Sequence, residues 1–127
     1  TSSKIAVFGL AYKGNTDDVR ESPSIEVIKL LLQKGYDLSY HDPHVRQEHI
    51  DYPLVGFEEA INHADCLLIL TDHAEFKSLD ETAILSRMRR PIIFDTKNCV
   101  TIQSNEIVLF NYGNLYEMNK MWERISI

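Results

Sequence analysis

The sequence is poor in cysteine, in positive charge and in long apolar runs. Its two cysteines, Cys66 and Cys99, are too few for a disulfide framework and are typical of a reducing compartment. Lysine and arginine total 13 against 19 aspartate and glutamate residues, a formal net charge of −6, which argues against general binding to nucleic acid or acidic membranes. No signal peptide and no apolar run of the roughly 18 residues that mark a membrane span is visible. We expect a soluble, cytoplasmic protein that binds neither nucleic acid nor membrane.

Glycine is also scarce where a dinucleotide site would need it. Only Gly9 and Gly14 follow the first apolar run, and the G-x-G-x-x-G spacing is absent. Asp42 ends the second predicted strand, where a ribose-binding acid would lie. Because the glycine fingerprint is missing, we interpret Asp42-Pro43 mainly as a turn that stops the strand.

The length and composition are those of one globular domain. The chain has 127 residues, of which 44% are hydrophobic and 25% charged. No internal repeat or second domain boundary is visible, so we expect a single domain over residues 1–127. The chain opens with Thr1-Ser2-Ser3 and no methionine, and we expect it to be a processed or excised piece of a longer protein.

Short apolar runs alternate with helical patterns along the chain. The patterns predict strands over 5–8, 37–41, 64–70, 92–94 and 107–110, and helices from Ser22-Pro23 to about Gly35, over 57–62 and over 79–89. Gly35 is expected to end the first helix in the left-handed conformation. This alternation is typical of a three-layer α/β/α, Rossmann-like domain with a mostly parallel sheet.

Polar side chains follow three of the predicted strands at the point where each strand ends. They are Tyr12, Lys13, Asp17, Asp18 and Arg20 after the first strand, Thr71, Asp72 and His73 after the third, and Asp95, Thr96 and Lys97 after the fourth. The carboxyl ends of parallel strands share one edge of the sheet, where ligands bind in open α/β folds. Cations from separate loops suit a diphosphate, and Tyr12 offers a ring for stacking and a hydroxyl.

Arg20 has two equally supported interpretations. Its planar guanidinium is able to hold a phosphate with two hydrogen bonds. It is equally able to pair with Asp17, Asp18 or Glu21, since ion pairs are common in charged loops. The sequence leaves both open.

Packing is the favoured role of the cysteines. Cys66 lies inside an apolar run, and Cys99 has no histidine beside it. The histidines lack zinc-ligand spacing, so no metal site is predicted, and only His73, beside Asp72, is a fair candidate for a site. Trp122, with Met118 and Met121, is expected to form a packing or interface patch.

Four blocks of the sequence resemble the C-terminal domain of the UDP-glucose/GDP-mannose dehydrogenase family. They are Gly9-Leu10-Ala11-Tyr12-Lys13, Thr16-Asp17-Asp18-Val19-Arg20-Glu21-Ser22-Pro23, Tyr40-His41-Asp42-Pro43 and Phe94-Asp95-Thr96-Lys97-Asn98. The resemblance covers about Lys4 to Phe110. The residues of two stretches, Tyr12-Lys13-Gly14-Asn15 and Tyr40-His41-Asp42-Pro43, are most similar to those of the family branch that oxidises UDP-N-acetylhexosamines.

This resemblance implies a UDP-sugar-binding domain of an NAD-dependent 6-dehydrogenase. Such enzymes oxidise the sugar C6 alcohol to a carboxylate with two NAD+ and a covalent cysteine intermediate, and hold NAD+ mainly on an N-terminal domain. By position, Tyr12, Lys13 and Lys97 match substrate contacts, and Arg20 matches a residue that reaches NAD across the domain interface. Family members often carry arginine where Lys97 stands.

The resemblance also implies what this chain cannot do alone. The family's cysteine motif and dinucleotide fingerprint are absent from it, so it holds no catalytic residue and is expected to be inactive by itself. Its expected partners are a UDP-sugar and the remaining domains of the enzyme, which is expected to be a homo-oligomer. Weak binding of a uridine nucleotide is still expected, because half of an interdomain site loses much preorganisation.

Two alternatives come from other classes. A receiver-like signalling domain would use acidic residues to hold Mg²⁺, but Asp17 and Asp18 fall eight and nine residues beyond Gly9, whereas a metal-binding pair belongs directly at the strand end. A stand-alone nucleotide-binding regulator would be favoured if this domain were encoded by itself.

Overall fold

Five strands and three helices make up the part of the chain that the computed structural model describes, residues 3–20 and 22–111. In chain order they are β1 (Lys4–Phe8), α1 (Pro23–Gln33), β2 (Asp37–His41), α2 (Phe57–Ile61), β3 (Cys66–Ile69), α3 (Glu81–Arg87), β4 (Ile92–Asp95) and β5 (Val108–Asn111). Two short 3-10 turns, Gln47–His49 and Ala74–Phe76, lie in the connections.

The strands form one sheet in the order β2-β1-β3-β4-β5, and every pairing between neighbours is parallel. Phe8 at the end of β1 pairs with His41 of β2 and with Ile69 of β3. Ile69 in turn pairs with Asp95 of β4. Four strands therefore end at one level, and the loops that follow them emerge side by side.

Helix α1 begins where the sequence predicts and ends at Gln33, two residues before the predicted Gly35. The Ser22 side chain caps its first turn by accepting a hydrogen bond from the Ser24 amide at 3.3 Å, and Pro23 takes the first helical position, where no amide hydrogen is needed. Gly35, with φ of +88°, reverses the chain just after the helix, and its amide donates to the Leu32 carbonyl at 3.1 Å.

The sheet separates two apolar cores, which makes the predicted three layers. Alternate residues of β1 face opposite sides: Val7 packs with Ile28 of α1, while Phe8 packs in the core that contains Ile61 of α2 and Ile84 of α3. All of these side chains are fully buried. The three-layer α/β fold with a parallel sheet is thus confirmed.

Two predicted boundaries were too wide. The strand expected over 64–70 is limited to Cys66–Ile69, because the Ala64 carbonyl accepts amide hydrogen bonds from Arg89 and Arg90 in a turn. The helix expected over 79–89 is limited to Glu81–Arg87, because the Asp80 carboxylate caps it at the Ala83 amide, 3.1 Å away.

No helix within residues 3–20 and 22–111 has the length and apolar character needed to span a bilayer. The predicted patch at Met118, Met121 and Trp122 lies outside the described residues, as does Glu21.

Candidate functional site

The loop after β1, residues 9–20, lies directly against the segment that follows β3. At Gly9, whose φ is +99°, a Cβ atom would stand 2.5 Å from Cβ of Thr71. At Gly14 a Cβ atom would stand 2.5 Å from the backbone oxygen of Asp72. Real Cβ atoms do not approach so closely, so both glycines are required for this loop to reach its neighbour.

The Asp42 carboxylate, at the end of β2, is buried and holds the start of this loop. Its Oδ2 atom accepts hydrogen bonds from the amides of Leu10 at 2.8 Å and Ala11 at 3.2 Å. Its Oδ1 atom accepts from the amides of His44 at 2.8 Å and Val45 at 3.1 Å. One side chain therefore joins the loop after β1 to the loop after β2.

His73 completes this arrangement from the loop after β3. Its side chain is wholly buried, and its Nδ1 atom accepts a hydrogen bond from the Asn15 amide at 2.9 Å. The ring proton is therefore on Nε2, which donates to Oδ2 of Asp42 at 2.9 Å. Burial raises the pKa of Asp42, but the hydrogen bonds from His73 and from the Leu10 and His44 amides outweigh it and leave that pKa below its usual value.

Between these contacts lies the short stretch Tyr12-Lys13-Gly14, whose first two residues are exposed. Before it, the Ala11 carbonyl accepts hydrogen bonds from the hydroxyls of Thr71 at 3.0 Å and Ser22 at 3.2 Å. After it, Oδ1 of Asn15 accepts from the Ala74 amide at 2.9 Å. Tyr12 is 53% exposed and Lys13 is exposed. The loop is fixed on both sides of these two exposed side chains.

Lys97 is presented by a second ordered loop, which follows β4. The buried Asp95 carboxylate accepts hydrogen bonds from the Lys97 amide at 3.1 Å and from the Val100 amide at 2.7 Å. Asn98 takes a left-handed conformation with φ of +56°. The backbone therefore turns back at Asp95, and the Lys97 side chain is left exposed.

Lys13 and Lys97 thus lie in loops at the same edge of the sheet, as predicted. Their strands, β1 and β4, are separated only by β3, which corresponds to about 10 Å at the strand ends. Within the described part of the chain, neither lysine has a carboxylate within ion-pair distance. Two cations at one edge, neither in a close ion pair with a described residue, suit an extended anion such as a nucleoside diphosphate.

Comparison with known proteins decides the family. Residues 6–102 match the sequence profile described as UDP-glucose/GDP-mannose dehydrogenase family, UDP binding domain. The chain belongs to the UDP-glucose/GDP-mannose dehydrogenase family. The resemblance found in the sequence is confirmed, and the edge that bears Lys13 and Lys97 belongs to that family's UDP binding domain.

Relatives of the chain include dehydrogenases of a UDP-N-acetylhexosamine, the branch expected from the sequence, and of UDP-glucose. The UDP-N-acetyl-D-mannosamine dehydrogenase of Methanococcus maripaludis strain S2 is 46% identical over 98 residues, which are 75% of this chain and 22% of that protein. The UDP-glucose 6-dehydrogenase of Rickettsia bellii is 38% identical over 115 residues, 85% of this chain and 26% of that one. The chain therefore spans about a quarter of the length of these relatives.

A solved family structure shares the fold. The UDP-N-acetyl-mannosamine dehydrogenase of Staphylococcus aureus superimposes with a TM-score of 0.82 at 38% identity, over 94% of this chain and 28% of that one. The predicted likeness to dehydrogenases of UDP-N-acetylhexosamines is confirmed by this structure and by the relative from Methanococcus maripaludis.

Arg20 adopts the paired arrangement in this family member. Its Nε and Nη2 atoms donate to Oδ1 and Oδ2 of Asp18, each at 3.0 Å. These hydrogen bonds from Arg20 lower the pKa of Asp18 to about 2. Of the two interpretations left open by the sequence, pairing with a neighbouring carboxylate is the one seen, and a contact with a ligand stays a prediction.

The two cysteines of this family domain are in environments that keep them protonated. Burial, followed by the charge of Asp95, raises the pKa of Cys99 to about 12. Burial raises the pKa of Cys66 to about 11. Because the thiolate is the reactive form, neither side chain has the environment of a nucleophile.

The signalling alternative finds no support in the geometry. Asp18 is engaged by Arg20 rather than turned toward a shared metal position. Among residues 3–20 and 22–111, no three histidine, cysteine, aspartate or glutamate side chains come together in a group that suits a metal ion. Family membership places the acidic residues of this loop in a UDP binding domain instead of a signalling domain.

Three residues of the predicted polar edge turn inward. Thr71, His73 and Asp95 are buried and bond to the protein itself. Asp42 does stop its strand, as predicted, but the interpretation as a turn residue missed its central role. No sequence signal marks the Asp42-His73 pair, because the partners are 31 residues apart and follow different strands.

Proposed function

We propose that this chain is the UDP-sugar-binding domain of a longer NAD-dependent nucleotide-sugar 6-dehydrogenase. The whole reaction would oxidise the C6 alcohol of the sugar to a carboxylate. Family membership and the length of the relatives support this assignment. Residues 1–127 would form one C-terminal domain of that enzyme, and its partners would be the other domains of the same chain, in a cytoplasmic homo-oligomer.

The binding role rests on one observation: in the described part of the chain, Lys13 and Lys97 share one edge of the sheet and neither has a carboxylate within ion-pair distance. Lys13 and Lys97 would contact the diphosphate from two sides, each as a point charge with up to three hydrogen-bond donors. Tyr12, half exposed beside Lys13, would contact the substrate through its ring or hydroxyl. Family members often carry arginine where Lys97 stands. A lysine at this position keeps the positive charge but cannot hold a phosphate with two parallel hydrogen bonds from one planar group.

The residues of this chain do not fit NAD in the usual dinucleotide position. In such folds the amides after the first strand bind the pyrophosphate. Here the Leu10 and Ala11 amides are already bonded to Asp42, and the glycine fingerprint is missing. We therefore place NAD mainly on another domain. Arg20, exposed on the loop after β1, is proposed as the contact that this domain makes with it.

The sugar is proposed at the level of its class. The relatives' names include UDP-N-acetyl-D-mannosamine and UDP-glucose dehydrogenases. An N-acetylhexosamine is favoured, because the first several relatives carry that activity in their names and because the two stretches of sequence noted above resemble that branch.

A titration of the purified chain with UDP, GDP, NAD+ and Mg²⁺, followed by amide chemical shifts, tests this function. We expect UDP to shift the amides of Tyr12, Lys13 and Lys97, and NAD+ to leave them unchanged. If UDP, GDP and NAD+ cause no shifts while Mg²⁺ causes saturable shifts at Asp17, Asp18 and Asp72, the signalling alternative is favoured instead.

Charge removal at the two lysines sharpens that test. Lys13→Ala and Lys97→Ala should each weaken UDP binding by about 1–3 kcal/mol, the contribution of a charge-assisted hydrogen bond. Lys34→Ala is the matched control, since Lys34 is exposed near the start of β2, at the opposite edge of the sheet. Unchanged affinity in both test variants would remove the proposed diphosphate site.

A further inference from the structure

We propose that His73 and Asp42 are positioning residues for the nucleotide site: with Asn15 they hold the stretch Tyr12-Lys13-Gly14 in its binding shape. This inference rests on the proposed function, since it concerns the same ligand. On this inference, UDP affinity depends on two buried residues that do not themselves contact the nucleotide.

The first step is the position of the two contacts along the chain. Asp42 bonds to the Ala11 amide, immediately before the stretch, and His73 bonds to the Asn15 amide, immediately after it. The two holding side chains also bond to each other at 2.9 Å. Tyr12, Lys13 and Gly14 therefore form a short bridge whose two ends are tied to a common buried pair.

The second step is that only one tautomer of His73 fits both of its hydrogen-bond partners. Asn15 requires an acceptor at Nδ1 of His73, and Asp42 requires a donor at Nε2, so one tautomer of a neutral ring satisfies both. Asn15 is held again through its side chain, which accepts from the Ala74 amide. Asn15 also has φ of +59°, in the left-handed region that asparagine adopts more readily than most residues other than glycine.

The third step is the effect on binding. A lysine on a mobile loop loses conformational freedom when it binds, and this loss subtracts from affinity. Fixing both ends of the bridge removes much of the backbone part of this loss before the ligand arrives. Loosening one end should lower UDP affinity even where the fold is intact.

Two substitutions at His73 separate the two hydrogen bonds. In His73→Asn the side-chain oxygen takes the place of Nδ1 and is able to accept from the Asn15 amide, while the bond to Asp42 is lost. In His73→Gln the side-chain amide takes the place of Nε2 and is able to donate to Asp42, while the Asn15 bond is lost. The loop end next to Lys13 is therefore kept in the first variant and released in the second.

We expect His73→Gln to weaken UDP binding by roughly three- to ten-fold, the loss that matches one net hydrogen bond, and His73→Asn to weaken it less. The free-state amide signals of Lys13 and Asn15 should shift or broaden more in His73→Gln. Unfolding in urea is measured on the same samples, so that affinity is compared among folded proteins only.

Ile84→Val and Ile84→Ala serve as controls for stability alone. Ile84 is fully buried in α3, and neither Asp42 nor His73 forms its described hydrogen bonds with it. These variants should lose stability but keep wild-type UDP affinity while folded. If the Ile84 variants weaken binding as much as His73→Gln at equal stability, the positioning role is wrong.

The outcomes separate this inference from the proposed function. A wild-type chain that does not bind UDP overturns the proposed function and this inference with it. Wild-type binding that persists unchanged in both His73 variants, with unshifted Lys13 and Asn15 amides, overturns this inference and leaves the proposed function standing.

Discussion

Nε2 of His73 lies 2.9 Å from Oδ2 of Asp42, and the two side chains are shielded from solvent. A buried carboxylate is costly unless it is fully hydrogen-bonded. Here four backbone amides and one imidazole supply five hydrogen bonds to it. The charge is stabilised by the protein's own donors, and the loops after β1, β2 and β3 converge on it.

Replacement of the Asp42 carboxylate should therefore destabilise the domain. In Asp42→Asn one oxygen becomes an amide group that faces backbone amide hydrogens, so at least one buried donor loses its acceptor. We expect a loss of about 1–3 kcal/mol in the free energy of unfolding, measured in urea at neutral pH. Asp51→Asn, at an exposed aspartate, is the control and should be neutral.

The same substitution should change the acid dependence of stability. The folded-state pKa of Asp42 is below its usual value of 3.8, so its contribution is complete above that value and is lost as the pH falls through the folded pKa. Urea midpoints of the wild type should therefore fall below about pH 4 more steeply than those of Asp42→Asn. Parallel curves would show that Asp42 is not part of the acid transition.

Gly14 should tolerate no side chain, even a methyl group. In Gly14→Ala the new Cβ would meet the backbone oxygen of Asp72 at 2.5 Å, and backbone atoms cannot move aside as a flexible side chain can. We expect a loss of about 1–3 kcal/mol in unfolding free energy and a weaker response of Lys13 to UDP. Gly56→Ala is the matched control, because a Cβ atom added at Gly56 would meet nothing within 4 Å. Equal stability of the two variants would show that the loop after β1 can retreat from β3 at little cost.

Removal of the Arg20 guanidinium should release Asp18. The pKa of the Asp18 carboxyl, about 2 in the ion pair, should rise toward the usual 3.8 in Arg20→Ala, because its two charge-assisted hydrogen bonds are lost. Carboxyl carbon shifts across an acid titration measure this directly. UDP affinity of the chain should stay nearly unchanged in Arg20→Ala. A loss of UDP affinity equal to that of the lysine variants would assign Arg20 to the substrate instead of NAD.

Both thiols should react slowly with an alkylating reagent at pH 8. The pKa values of about 12 for Cys99 and about 11 for Cys66 leave little thiolate at that pH. Mass spectrometry after timed exposure to iodoacetamide checks this, and the urea-unfolded chain, which should be modified rapidly at both positions, is the control. Rapid modification of Cys99 in the folded chain would contradict the environment described for it.

Local signals in the sequence were enough to predict the helices and strands, and to place the exposed candidate residues at one edge of the sheet. Ser22, Pro23 and Gly35 set the ends of α1 through contacts within a few residues. Lys13 and Lys97 follow predicted strands, and parallel order alone brings their loops to one edge. Such features depend on neighbours in the chain or on the rule of parallel pairing.

The sequence did not predict which polar residues at the strand ends are buried. His73 and Asp95 look like ligand residues in the sequence, since each is a polar side chain after an apolar strand. Which of them turns inward depends on the register that ends β1, β2, β3 and β4 at one level and on the close approach allowed by Gly14. That information is in the pairing of distant segments, which spacing along the chain does not report.

The bonds between Asp42 and the Leu10 and Ala11 amides also bear on inhibitor design. A compound that imitates the dinucleotide of other Rossmann-like proteins relies on those two donors, and here it would have to compete with a carboxylate supplied by the protein. At the site proposed above, a selective compound would instead be built outward from a uridine diphosphate, with an anionic group between Lys13 and Lys97 and an aromatic group against Tyr12. Such a compound would discriminate this domain from the many oxidoreductases whose donors remain open to a cofactor.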